Sequence, residues 1–136
     1  IKVEDSTFHI RLYGIDAPER MFLYVTKAQP GSEFAGLNLR QLIKKDTVTV
    51  VPIYVDQFDR LVCKLYTSDS INVSLYQVVF GNAWYRTESG MPKGEITELK
   101  AKQELAKSEG RGLWGLKGRK YTPAWWRKTY SGWKER

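Results

Sequence analysis

The chain has 136 residues, is 42% hydrophobic and 27% charged, and carries a formal net charge of +7. That length and balance give one domain with a core of its own and exclude a wholly disordered chain. No apolar run approaches the roughly 20 residues of a membrane span, and Cys63, the only cysteine, can form neither an internal disulfide nor half of a zinc cage.

The first residue is Ile1, so the chain is expected to begin inside a longer product whose upstream segments this sequence does not include. Its charge is uneven. Residues 110–136 hold eight basic residues and one acidic one, the whole excess, whereas residues 1–109 hold fourteen of each sign. The basic pI therefore describes the tail and not the body.

In chain order, residues 1–3 and 7–15 predict two strands joined by a turn at Glu4-Asp5-Ser6. Residues 16–32, with Pro18, Pro30 and Gly31, read as a long irregular loop. A helix follows from Ser32, its expected cap, to about Lys45, with Phe34, Leu37, Leu39, Leu42 and Ile43 on its apolar side. Thr47–Val55 and Arg60–Tyr66 predict two strands, and Pro52 implies an edge or a bulge in the first. Val73–Phe80 predicts a short helix, Ala83-Trp84-Tyr85 a short strand, and Thr87–Gly94 a loop. The clearest helix covers 95–109, with acidic residues in its first turn, a Glu98–Lys102 pair and Gly110 as its stop. Trp114 is placed to fold back onto it. This order predicts an α+β fold, with a small closed or nearly closed barrel as the arrangement that removes exposed strand edges.

The segment RLYGIDAPER, residues 11–20, ends a β-like run in two carboxylates with arginines nearby. Arg11, Asp16, Glu19 and the more distant Arg60 are the residue types that metal-assisted phosphodiester hydrolysis requires. Carboxylate oxygens suit a hard divalent cation, a second carboxylate can deprotonate water, and guanidiniums can neutralise charge on phosphoryl oxygens. Pro18 would fix the relative positions of the two carboxylates. On residue types alone, a solvated surface with weak ion pairs is the commoner meaning of such charges. In a regular strand Arg11 and Asp16 would also face opposite sides. A bulge at Gly14 is the condition for bringing them together.

RLYGIDAPER resembles the signature of the staphylococcal nuclease-like (thermonuclease) family. DQFDRLVCKLY resembles that family's D-x-[YF]-G-R-x-x-x-x-x-Y, FGNAWYR its G-x-A-x-[VY] segment, and LKAKQELAKSEGRGLWG its last helix. The resemblance runs to about Gly115. It implies a five-stranded OB barrel with three helices over residues 1–115, with a truncated N-terminal strand, and phosphodiester hydrolysis of DNA or RNA, single strands preferred, with calcium. By position it makes Arg11 and Arg60 the transition-state arginines and Glu19 the general base. Asp16 becomes a metal ligand, and Ala17 one through its backbone carbonyl. The family's other metal aspartate lies before the first hairpin, ahead of this chain's start, and Asp5 is poorly placed to replace it. Asp59 stands where a glycine is usual, and Gln57 where a phosphate-contacting lysine is common. Thr87 and Ser89 fall near the positions of base-stacking tyrosines, leaving Phe58 and Tyr85 as the aromatic faces.

Residues 116–136 form a basic, aromatic extension outside this resemblance. Trp125, Trp126, Tyr130 and Trp133 alternate with Arg127, Lys128 and Lys134. Such interleaving can stack on single-stranded nucleic acid, dock on the domain or on a protein partner, or lie at an anionic membrane surface. Docking is the expected reading, because tryptophans this dense are seldom left in water. The TPA segment also resembles the C-terminal ends of membrane-anchored eukaryotic members. Two functions follow: a calcium-dependent nuclease, or an inactive nuclease-like domain that binds nucleic acid or serves as a subunit of a larger assembly, such as a mitochondrial one.

Overall fold

The computed structural model describes residues 2–3, 6–21, 25–44 and 47–132. Chain order runs through strands β1 (Lys2–Val3), β2 (Ser6–Thr7), β3 (Ile10–Leu12) and β4 (Ile15–Asp16) to helix α1 (Ser32–Ile43). Strands β5 (Thr49–Val55) and β6 (Leu61–Tyr66), helix α2 (Val73–Val79), strand β7 (Trp84–Tyr85) and helix α3 (Lys93–Ser108) follow. A 3-10 turn (Gly112–Gly115) then leads to helix α4 (Pro123–Thr129). The fold is mixed α+β. Its described strands form three separate sheets, with orders β1-β2, β3-β6-β5 and β4-β7. No described helix is long and apolar enough to cross a membrane.

The expected strand over 7–15 is divided. β3 pairs in parallel with β6, whereas β4 pairs antiparallel with β7. The chain changes sheets at Tyr13–Gly14, where Gly14 takes φ 85°, a left-handed conformation that glycine adopts without a Cβ penalty. Any side chain there would also press on Leu99 and Met91, each 3.1 Å from an added Cβ. Of the expected first turn, Glu4 and Asp5 lie outside the described residues, and Ser6 belongs to β2. β5 is an edge strand with a register shift between Pro52 and Tyr54, because proline has no N–H for the ladder. Ser32 is not the cap of α1. Gly31 holds that position with φ 94°, and Ser32 is buried with its N–H donated to the Gln29 carbonyl. α3 starts two residues earlier than its pattern suggested, directly after Pro92, whose carbonyl accepts from Glu95 and Ile96.

β6 sits at the centre, and its period-2 alternation divides the core. Val62 faces one cluster, with Tyr13, Ile15, Val78, Ala83, Met91 and Leu99. Cys63 and Leu65 face the other, with Val73 and the apolar side of α1. Cys63 is fully buried, and burial pushes its thiol up from the ordinary value, so it acts as a core residue. Lys64, on the Val62 face, reaches across to Glu95 of α3. Trp114 does fold back: its ring meets Trp84 edge-on at 5.1 Å and lies under the Lys107 ammonium at 4.9 Å.

Candidate functional site

At Gly14 the structure has a change of sheet and not the expected bulge. The change ends β3 just after Arg11 and starts β4 just before Asp16, so strand parity no longer sets their relative direction. Beyond Asp16 the chain leaves the sheet. Ala17 is exposed and Pro18 buried, which pins the turn that carries Glu19. Gln29 holds that turn from behind. Its backbone N–H donates to the Glu19 carbonyl at 2.7 Å, and its side-chain Oε1 accepts from the Glu19 N–H at 3.0 Å.

Arg11 lies in a dense cluster. Its Nη1 and Nη2 donate to Glu88 Oε1 and Oε2 at 2.7 and 2.8 Å, a bidentate pair. Nη2 also donates to the Tyr54 hydroxyl at 2.7 Å, which in turn donates to Glu88 Oε2 at 2.8 Å. The Gly14 N–H adds a fourth bond to Glu88 at 3.1 Å. The Glu88 side chain is 2% exposed. Burial pushes its carboxyl up, but Arg11, the Gly14 N–H and Tyr54 together hold it below the ordinary range. The same hydrogen bonds to Glu88 raise Arg11 despite its own burial.

Arg60 comes from the β5–β6 connection. Asp56 organises that loop: its Oδ1 accepts from the Phe58 and Arg60 N–H groups, and its Oδ2 accepts from Arg60 Nε, all at 2.9 Å. Burial pushes the Asp56 carboxyl up, but these donors together hold it below its ordinary value. Asp56 also lies 3.8 Å from Arg11 Nε, so one carboxylate links both expected arginines. Asp59 has φ 59°. That explains the usual glycine there, and Asp is among the few other residues that tolerate this conformation. Arg60 pairs with Asp56, and its guanidinium lies 5.4 Å from the Phe58 ring.

Asp16 and Glu19 meet a cation from the far end of the chain. Arg127 of α4 donates to both Asp16 oxygens, from Nη1 at 3.2 Å and Nη2 at 3.1 Å, and Nη1 also donates to Glu19 Oε1. Burial raises the Glu19 carboxyl above its ordinary value. Arg127 and, more weakly, Arg60 oppose the rise, while neighbouring Asp16 adds to it. The four expected charged residues are therefore gathered as two groups. Arg11 and Arg60 meet through Asp56, and Asp16 and Glu19 meet through Arg127.

The expected nucleic-acid contacts are spread more widely. Phe58 is 68% exposed. Tyr85 is half-buried in β7, packs against the core and donates its backbone N–H to Gln103. Trp125 is 40% exposed and stacks on Tyr121 with centroids 3.9 Å apart. Trp126, by contrast, is buried, its indole N–H donated to the Lys27 carbonyl at 2.6 Å. Its faces are therefore not open to a base. Arg127 is engaged as described, and Lys128 is exposed. Trp133 and Lys134 lie outside the described residues.

Sequence reasoning missed Glu88, Tyr54 and Gln29. A glutamate in TESGMP reads as a solvated loop residue, and nothing local reveals its partner 77 positions away. Asp56 was visible only as the first letter of the DQFDR motif.

A hard cation is offered Asp16 and Glu19, and Ala17 through its carbonyl. No three His, Cys, Asp or Glu side chains among the described residues group so as to hold a metal. Calcium takes about six to eight oxygens, and three carboxylate oxygens here already bind a guanidinium. In this arrangement the residues do not fit the ion.

A family profile described as Staphylococcal nuclease homologue matches residues 9–115. A protein named Probable endonuclease LCL3 from Komagataella phaffii is 33% identical over 138 residues, which cover 95% of this chain and 58% of that protein. The protein of that name from Meyerozyma guilliermondii is 33% identical over 133 residues, covering 94% and 58%. An Uncharacterized endonuclease from Escherichia coli O157:H7 is 32% identical over 120 residues, covering 84% and 69%. The chain spans roughly half the length of the fungal relatives, from 36% to 58%. Coverage of 95% of this chain carries the pairwise similarity past residue 115, into the basic tail.

Proposed function

The chain belongs to the staphylococcal nuclease homologue family, and on that premise we propose that it is an endonuclease that hydrolyses phosphodiester bonds of DNA or RNA. The observation that carries this reading is the meeting of Arg11 and Arg60 at Asp56, with Arg60 close enough to Glu19 to act on its charge. Arg11 and Arg60 would hold the scissile phosphate and stabilise the charge that grows on its oxygens. Glu19, raised in pKa and held at its backbone by Gln29, would take the proton of the attacking water. Asp16 and the Ala17 carbonyl are the ligands that the family resemblance assigns to calcium, and the five-stranded OB barrel is the frame it implies. Phe58, Tyr85 and the exposed Trp125 supply aromatic faces, and Lys128 a phosphate contact, for a single-stranded substrate.

A second reading is a nuclease-like domain without activity, acting as a binder or a subunit. The observation that favours it is that Asp16, Glu19 and Arg11 all have internal partners. Incubation with single-stranded DNA, in calcium and in chelator, separates the two. The nuclease reading expects calcium-dependent cleavage, lowered on the order of 100-fold by Arg60→Ala. Cleavage indifferent to both calcium and Arg60→Ala would falsify it.

A further inference from the structure

We propose that Arg127 is a built-in competitor of divalent cations: the C-terminal helix seats its guanidinium on Asp16 and Glu19, and a cation can bind these carboxylates only when α4 lets go. The proposal rests on the nuclease reading only for the choice of calcium as the competing ion.

The seat of Arg127 is constructed and not incidental. α4 begins at a capped turn, with Thr122 accepting from the Trp125 N–H and Pro123 in the first helical position. Trp126, one residue before Arg127, is buried and tied by its indole to Lys27. The Tyr130 carbonyl accepts from both the N–H and the hydroxyl of Thr26, at 2.8 and 2.9 Å. Val25 and Ser131 form an antiparallel bridge. Lys27 places its ammonium 5.8 Å from the Trp126 ring and 5.2 Å from that of Tyr130. Gln29 joins the two partners: one end of its amide accepts from the Glu19 N–H and the other donates to the Tyr121 carbonyl at 2.7 Å. The loop that carries Glu19 and the tail that carries Arg127 are thus held by one buried side chain.

The competition follows from occupancy and charge. Both Asp16 oxygens and Glu19 Oε1 accept from Arg127. A cation on the same oxygens would lie within a few ångströms of a fixed positive charge. The contact is also releasable. Arg127 is 37% exposed, Asp16 20% and Glu19 21%, and ion pairs open to water are held weakly. Anchors in the 25–29 segment set the position of α4, and the ion pair closes the site.

The test is isothermal titration of calcium chloride into the full chain without nucleic acid, comparing wild type, Arg127→Gln, Arg127→Lys and Trp126→Ala. Arg127→Gln should bind calcium about tenfold more tightly, as expected for loss of one partly screened charge. Arg127→Lys, which keeps the charge but not the fork, should fall between. Trp126→Ala, which leaves Arg127 in place but frees its helix, should shift in the same direction as Arg127→Gln. Unchanged or weaker binding by Arg127→Gln with a native near-ultraviolet circular dichroism spectrum overturns the proposal. So does an absence of calcium binding in all four proteins. Tighter binding without cleavage of single-stranded DNA would sink the nuclease reading and leave the competition standing. Cleavage with unchanged affinity would do the reverse.

Discussion

The molecule holds two carboxylate–guanidinium groups, one built on Arg11 and the other on nearby Asp16 and Glu19, each completed by a partner distant in sequence, and they are built in opposite ways. Glu88 and Arg11 are enclosed, bidentate, and backed by Tyr54 and the Gly14 amide. Asp16 and Glu19 are partly open, and their cation arrives on a terminal helix. An enclosed pair cannot lose one member without leaving a charge stranded in a poor solvent, so it behaves as part of the fold. An open pair can exchange its partner for water, an ion or a phosphate. Arg11 stands on the boundary: the fixed group orients it, and the nuclease reading asks it to meet phosphate.

Breaking the enclosed group should have the largest effect on stability. Glu88→Ala should cost about 3–5 kcal/mol in denaturant unfolding, the usual range for one member of a buried pair. A loss below about 1 kcal/mol would mean that the two groups do not differ in kind. Acid provides a gentler version of the same test. The Glu88 carboxyl is held below its ordinary value, so its contribution is present above the unfolded pKa and is lost as pH falls through the folded one. The stability gap between wild type and Glu88→Gln should therefore narrow below the ordinary glutamate range. A gap constant with pH would contradict the charge-based account of this cluster. The smallest effect belongs to the open group. Arg127→Gln should change stability by no more than about 1 kcal/mol, and a loss as large as that of Glu88→Ala would move Arg127 from closing a site to holding the fold.

Sequence revealed these groups unequally, for physical reasons. RLYGIDAPER carried its meaning locally. A glycine where the strand must turn and a proline beside a carboxylate are backbone requirements that a few letters express, and Gly14 at φ 85° meets the first. Asp59 was legible as a departure but not as a solution, because only its φ of 59° shows that it does the glycine's conformational work. Glu88 gave no signal, since a buried glutamate differs from a solvated one only through partners distant in sequence. Arg127 stands out in sequence through its aromatic neighbours, as a phosphate contact or as part of a docked tail, with docking the expected reading. Its engagement with Asp16 and Glu19 depends on the tail returning 108 to 111 positions to the site. The parallel pairing of β3 with β6 was likewise hidden, because a two-residue alternation states which face is buried and not which neighbour lies alongside.

If Glu19 performs the chemistry while the enclosed pair holds the frame, Glu19→Gln should separate rate from stability. The measurement is the initial rate of single-stranded DNA cleavage in calcium, taken with the unfolding midpoint of the same sample. The rate should fall by about 10²–10⁴-fold, the usual worth of a general base, at a nearly unchanged midpoint. A wild-type rate in Glu19→Gln would contradict that role for Glu19.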